Sequence, residues 1–204
     1  MDDEESRSGS GQGTGSTPPL SVLLRSLPTG QPLGLGQLLA VFGARAHGGA
    51  LLILGLPDTL PLPIPSMSAV LGIPLVIVAA HLALFGDRGG VPQKAANLRV
   101  PDWLLARLVD DVPPLLTRAE RLSQDRWIGL ARQERLLGLV CLYLSLLLLA
   151  PLPFFNMPPA ICLVLIAWGM IQRDGVFVAA GLAGTAVMTA ALAAILILAR
   201  SMLM

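Results

Sequence analysis

The chain has 204 residues, of which 54% are hydrophobic and only 13% charged, with a formal net charge of +1. A soluble domain usually carries about 25% charged residues, so a chain this short cannot cover a soluble surface with so few. A near-zero net charge offers no field for nucleic acid, and that partner is excluded.

The first element is a tail. Residues 1–17 are acidic and then Gly/Ser-rich, cannot bury a core, and read as disordered. They carry neither the basic start nor the apolar stretch of a secretory signal, so insertion is expected to be directed by internal segments. Residues 18–100 read as a first membrane repeat. Its first apolar piece is Gly48 to Leu56, and its second is Met67 to Phe85. Residues 101–135 read as a cytoplasmic linker. Within it Leu104, Leu105, Leu108, Val112, Leu115, Leu116, Ala119 and Leu122 recur at helical steps opposite Arg107, Asp111, Arg118, Arg121 and Asp125. That pattern predicts an interfacial amphipathic helix, broken at Pro113-Pro114 and flanked by Trp103 and Trp127. Leu20 to Leu27 reads as a shorter counterpart. Residues 136–204 read as a second membrane repeat, with apolar pieces Leu136–Ala150 and Ala160–Ile171, followed by a transmembrane helix over Val176–Ala199.

Lengths separate these pieces. A transmembrane helix needs roughly 20 apolar residues to cross about 30 Å of hydrocarbon, and only Val176–Ala199 clears that comfortably. The shorter ones are joined by prolines, which predicts re-entrant or broken helices. Pro61-Leu62-Pro63 in the first break returns as Pro151-Leu152-Pro153 in the second, with apolar helices on both sides each time. Each unit ends in a polar corner, Gly86-Asp87 or Asp174-Gly175. Two structural repeats follow from this order. The fold class is therefore all-α: a polytopic helical membrane protein of two Pro-broken repeats with interfacial amphipathic helices.

Arg88, Lys94, Arg99, Arg107, Arg118, Arg121, Arg126, Arg132 and Arg135 all lie between the repeats, while Arg25 and Arg45 precede the first. The positive-inside rule places the N-terminus and the linker in the cytoplasm. Both Pro-rich units then leave and return on one face.

Few residues carry chemistry. His47 and His81 are the two histidines, and no nucleophile, phosphate loop or metal-ligand spacing accompanies them. No catalytic, cofactor or metal residue is assigned, and an enzyme is not expected. Cys141 and Cys162 sit in apolar runs and read as packing residues. The unusual positions are polar residues at membrane depth: Asp58 and Thr59 in the first break, Asn156 in the second, and His81 within an apolar helix. Asp58 and Asn156 could line a cavity for a cation or a head group. A solvated turn near the far interface is the favoured alternative. For His81 the favoured reading is a packed neutral ring bonded to a backbone carbonyl rather than a proton relay. Asp174 is expected to pair with Arg173 or to cap the helix that follows. Gly181, Thr185, Thr189 and Ala193 form a small-residue stripe, read first as packing within the chain and second as a homodimer face.

Gly43-x-Arg45-x-His47-Gly48, the run Leu56-Pro57 through Pro61-x-Pro63-x-Pro65, and Leu71-Gly72-Ile73-Pro74 come in order. Pro151-x-Pro153-x-x-Asn156 and Arg173-Asp174-Gly175 follow. This ordered set resembles the ExoD family of bacterial exopolysaccharide-synthesis proteins over residues 36 to 199. The family usually has Asn where this chain has Asp58, and Gln at the place of His81. The resemblance implies a multi-pass inner-membrane protein in the lipid bilayer, with exopolysaccharide machinery as partner, and marks Arg45, Pro61, Pro63, Pro151, Pro153, Asp174 and Gly175. It supplies no catalytic mechanism. Support of exopolysaccharide synthesis or export is the leading function. Transport of a small ion or solute at the Pro breaks, and a lipid-organising or assembly role, stand beside it.

Overall fold

A computed structural model describes residues 35–40, 42, 45–59, 65–86, 97, 129, 133–150 and 156–203. Among the described residues six α-helices run in order: α1 (Leu35–Ala40), α2 (Ala46–Gly55), α3 (Pro65–Phe85), α4 (Glu134–Leu149), α5 (Met157–Gln172) and α6 (Gly175–Leu203). A 3-10 turn, Leu56–Thr59, continues α2. The described residues are helical apart from short connections, so the all-α expectation holds. The tail over 1–17, most of the linker over 101–135, and Pro61, Pro63, Pro151 and Pro153 lie outside the described residues.

Helix α2 has ten residues, about 15 Å at 1.5 Å per residue. It is apolar all round, and from His47 to Gly55 every residue is buried. Such a helix can only sit inside a protein body. It packs on α1, α3 and α5. Helix α4 packs on α3 and α5, so α2, α3, α4 and α5 close a ring of neighbours. The core is Leu-rich: Leu51, Leu54, Leu75, Leu82, Leu137, Leu144 and Leu163 are all fully enclosed.

Small residues set the register. A Cβ at Gly48 would meet Ile171, and one at Gly55 would meet Leu163, so α2 and α5 run antiparallel. Likewise Gly72 lies against Leu149 and Gly138 against Leu82 and Ala83, so α3 and α4 run antiparallel. The starts of α2 and α4 and the ends of α3 and α5 therefore share one end of the bundle. The ends of α2 and α4 and the starts of α3 and α5 share the other.

Helix α6 differs from the rest. Its first half lies on α5, where Gly181 meets Ile166 and Cys162. The first part of the small-residue stripe is thus used inside the chain: Gly181 and Thr185 are buried and the Thr189 hydroxyl is 3.0 Å from that of Tyr143, while Ala193 is exposed. Its second half leaves the bundle. From Thr189 to Met202 every residue but Leu192 is exposed. That stretch is about 20 Å long. The span Gly175–Met202 is long and apolar enough to cross a membrane.

Candidate functional site

Polar side chains gather at the end of the bundle where α2 starts and α3 finishes. The ring of His47, only 1% exposed, lies in the first turn of α2. Its Nε2 is 3.1 Å from Nδ1 of His81, one turn before the end of α3. The two rings are nearly parallel, at 9°, with centroids 5.3 Å apart. His81 in turn lies 4.8 Å from the ring of Phe85, one helical turn on. The backbone-carbonyl partner expected for His81 is therefore corrected: it bonds to the other histidine. Sequence spacing hides this pair, because thirty-four residues and a proline break separate its members. The only available signal was that both histidines stand in apolar helices at the ends that the hairpin brings together.

Arg45 lies immediately before α2 and donates from Nη1 to the carbonyl of Ile171. The last carbonyls of a helix have no partner within it, and they carry the negative end of its dipole. Arg45 thus ties the entry of the first hairpin to the exit of the second. Asp174, 2% exposed, accepts a bond of 2.9 Å from the amide of Val176 through Oδ1. It caps α6, the second of its two expected roles. The residue before it, Arg173, takes the left-handed conformation that ends α5, with φ at 56°. Gly175 opens α6 and is buried. At the same end Glu134 starts α4 and lies against Gly86, whose φ is 66°.

The opposite end holds the first break. Asp58 and Thr59 sit in the 3-10 turn, which packs on α5. Thr59 donates from Oγ1 to the carbonyl of Leu56 at 2.6 Å, so its hydroxyl closes the turn. Asn156 stands at the start of α5, where its own carbonyl accepts the amide of Ala160 at 3.1 Å. The antiparallel register of α2 and α5 brings the Asp58 turn to the level of the first turn of α5. His81 is at the other end of the molecule, so the four polar candidates form two separate groups.

Among the described residues no cluster of three or more His, Cys, Asp or Glu could hold a metal ion. Cys141 and Cys162 are free and buried, as their apolar settings predict. The Cys162 thiol touches the position of Gly184 on α6.

Apolar helices in a closed ring, one long apolar helix leaving it, and the described histidine and charged side chains near helix ends define a class of all-helical protein with a largely apolar exterior. The family model described as "Exopolysaccharide synthesis, ExoD" matches residues 20–195. The chain belongs to the ExoD family. It is 27% identical over 157 residues to an uncharacterized protein of Synechocystis sp., covering 75% of this chain and 74% of that one. It is also 27% identical over 158 residues to Protein ExoD of Rhizobium meliloti, covering 74% of this chain and 65% of the relative. No solved structure matches the chain.

Proposed function

We propose that this chain is an integral, multi-pass protein of the bacterial inner membrane that supports exopolysaccharide synthesis or export without a catalytic step of its own. The observation that carries this is the exterior. Ile73, Leu84, Leu136, Leu139, Leu146 and Val187 are all more than half exposed, as are Ile195 to Leu198 on α6. Apolar surface on this scale is costly in water and neutral in lipid. Membership of a family described by exopolysaccharide synthesis supplies the process.

In this reading the polar end of the bundle faces the cytoplasm, following Arg45, Arg135 and Arg173 at the helix ends there. Helices α4 and α5, of sixteen residues each, reach about 24 Å. That falls short of about 30 Å of hydrocarbon. The second hairpin therefore enters and returns from one face. In the first, α3 reaches about 31 Å but its partner α2 only about 15 Å, so it is read as returning to the same face as a second repeat, with α6 as the crossing helix. The pairing of α2 with α5 and of α3 with α4 supports a two-fold relation between the hairpins.

The test is thiol accessibility in a chain with Cys141 and Cys162 replaced. Single cysteines at Thr59, Asn156, Gln124 and Ser201 are probed from each side with an impermeant reagent. The expected result is labelling of Gln124 from the cytoplasm, of Ser201 from the periplasm, and little labelling at Thr59 and Asn156. Ready periplasmic labelling at Thr59 and Asn156 makes the breaks surface turns and removes the re-entrant arrangement. Labelling of Gln124 and Ser201 from the same side removes the crossing.

A second reading, transport of a small cation or solute past the breaks, draws support from the packing of the Asp58 turn on α5 near Asn156. Flux in proteoliposomes that is unchanged by Asp58→Asn ends it.

A further inference from the structure

Histidine nitrogens 3.1 Å apart make a bond only if one carries a hydrogen and the other does not. That restricts how many protons the two rings can hold. Two neutral rings hold two protons, with one of them in the bridge. A third proton fits on a nitrogen outside the bridge, and the bond then becomes charge-assisted. A fourth puts N–H against N–H and a cation against a cation, and the bond is lost. We propose that His47 and His81 form a single-proton site, a latch that closes the first hairpin at its polar mouth with up to one added proton and releases it with two.

The surroundings fit one added charge. His81 is partly exposed, so a proton can arrive there, whereas His47 is enclosed. The ring of Phe85 lies against His81, and an aromatic face receives a cation favourably. The charged groups at this end are few. Arg45 precedes α2 and is bonded across to α5. Glu134 opens α4, beside Gly86 at the end of α3. Arg173 and Asp174 follow α5. Helix α1 (LGQLLA) carries no charge, and the described α3 and α5 carry none beyond His81 itself. Arg135 follows Glu134 in α4, so among the described residues two anions stand with three fixed cations, which leaves no surplus negative charge for a doubly protonated pair.

The bond lies where release would matter. It joins the first turn of α2 to the last of α3, the free arms of one hairpin. The rings lie nearly parallel with centroids 5.3 Å apart, and two like charges at that distance repel.

The chain contains two histidines, so histidine-selective 15N labelling of the full chain in nanodiscs yields a spectrum of these rings alone. The expected result is two separate proton-uptake steps, as for coupled neighbours. In His81→Gln, which keeps a bonding partner but cannot be protonated, one step remains. Amide exchange over Ala46–Gly55 should rise roughly three- to tenfold below the second step in the wild type, and show no such step in His81→Gln. Two rings that titrate independently overturn the shared site. So does a pair that takes up no proton before the fold itself is lost. Two separated steps with unchanged exchange overturn the latch.

Discussion

A Cβ built at Gly138 would stand 2.5 Å from the amide nitrogen of Ala83 and 2.7 Å from the carbonyl carbon of Leu82. Both are backbone atoms, so α3 and α4 would have to move apart. At Gly72 the first obstacle is a methyl of Leu149 at 3.1 Å, the end of a side chain that can turn. A Gly-to-Ala change inside a helix gains about 1 kcal/mol in propensity, and overpacking costs about 1–3 kcal/mol. Gly138→Ala is therefore expected to lower stability by about 1–2 kcal/mol, and Gly72→Ala to leave it near neutral. Thermal unfolding of the two variants in detergent checks this. Arg45 acts by charge rather than by close packing. Its bond to the Ile171 carbonyl is charge-assisted and sits at a helix C-terminus. Such bonds contribute about 1.5–3 kcal/mol. Arg45→Met should lose that order of stability and Arg45→Lys should recover part, read by the same unfolding measurement.

Among the elements, α6 has two halves with different needs. The first half is held by α5 through Gly181 and Thr185, and the Thr185 hydroxyl returns to the carbonyl of Gly181 at 2.8 Å. The second half has apolar residues on every side, and Ile197 is 69% exposed. In water, a charge at such an exposed position would change stability by no more than about 0.5 kcal/mol. In a bilayer it costs about 2.5–3.5 kcal/mol near the helix centre. Near the middle of α6, Val187 is 71% exposed, and Val187→Arg is therefore expected to reduce insertion of the helix severalfold in a glycosylation-reporter assay. Insertion of Val187→Arg at the wild-type level would mean that the middle of the helix does not meet hydrocarbon. Helix α2 is the converse case: it is shorter and just as apolar, but buried in its own protein, so its surroundings are fixed whatever the solvent.

For the whole molecule, the unequal lengths of the helices become a mechanical property in the proposed setting. Helices α4 and α5, about 24 Å long, stand beside α3 at about 31 Å and a span of about 40 Å, so the short pair and the long span meet the bilayer with mismatches of opposite sign. The long helix can tilt, but the closed ring of α2 to α5 cannot lengthen. Mismatch costs fractions of a kcal/mol per Å. The unfolding temperature should therefore rise when the chain moves from long-acyl to short-acyl phospholipid nanodiscs of the same head group. A thickness optimum at about 30 Å or above would instead indicate hairpins that span. The same geometry keeps the two polar groups apart. Arg45, His47, His81, Glu134 and Asp174 collect at one end, and Asp58 with Thr59 at the other. Transport through the breaks and proton binding at the histidines are thus separable by mutation.

Much of the helical layout was legible in the residues. Long apolar runs bounded by Gly, Pro and charge have few alternatives to helix, and the expected segments Met67–Phe85 and Val176–Ala199 differ from α3 and α6 by a few terminal residues. The prolines marked where the first helix stops, because proline breaks the ladder of backbone bonds locally. Asp174 was legible as a cap for the same reason: its bond spans two residues. What only the tertiary structure decided are contacts between positions far apart in the chain. Arg45 reaches Ile171, 126 residues away, and His47 meets His81 across a hairpin. That Gly181 and Thr185 pack on α5, as expected first for the stripe, names the partner helix, since a stripe shows that a helix can approach closely but not which helix approaches it. Helix periodicity fixes which side chains share a face, but which helix covers that face depends on how the whole set packs together.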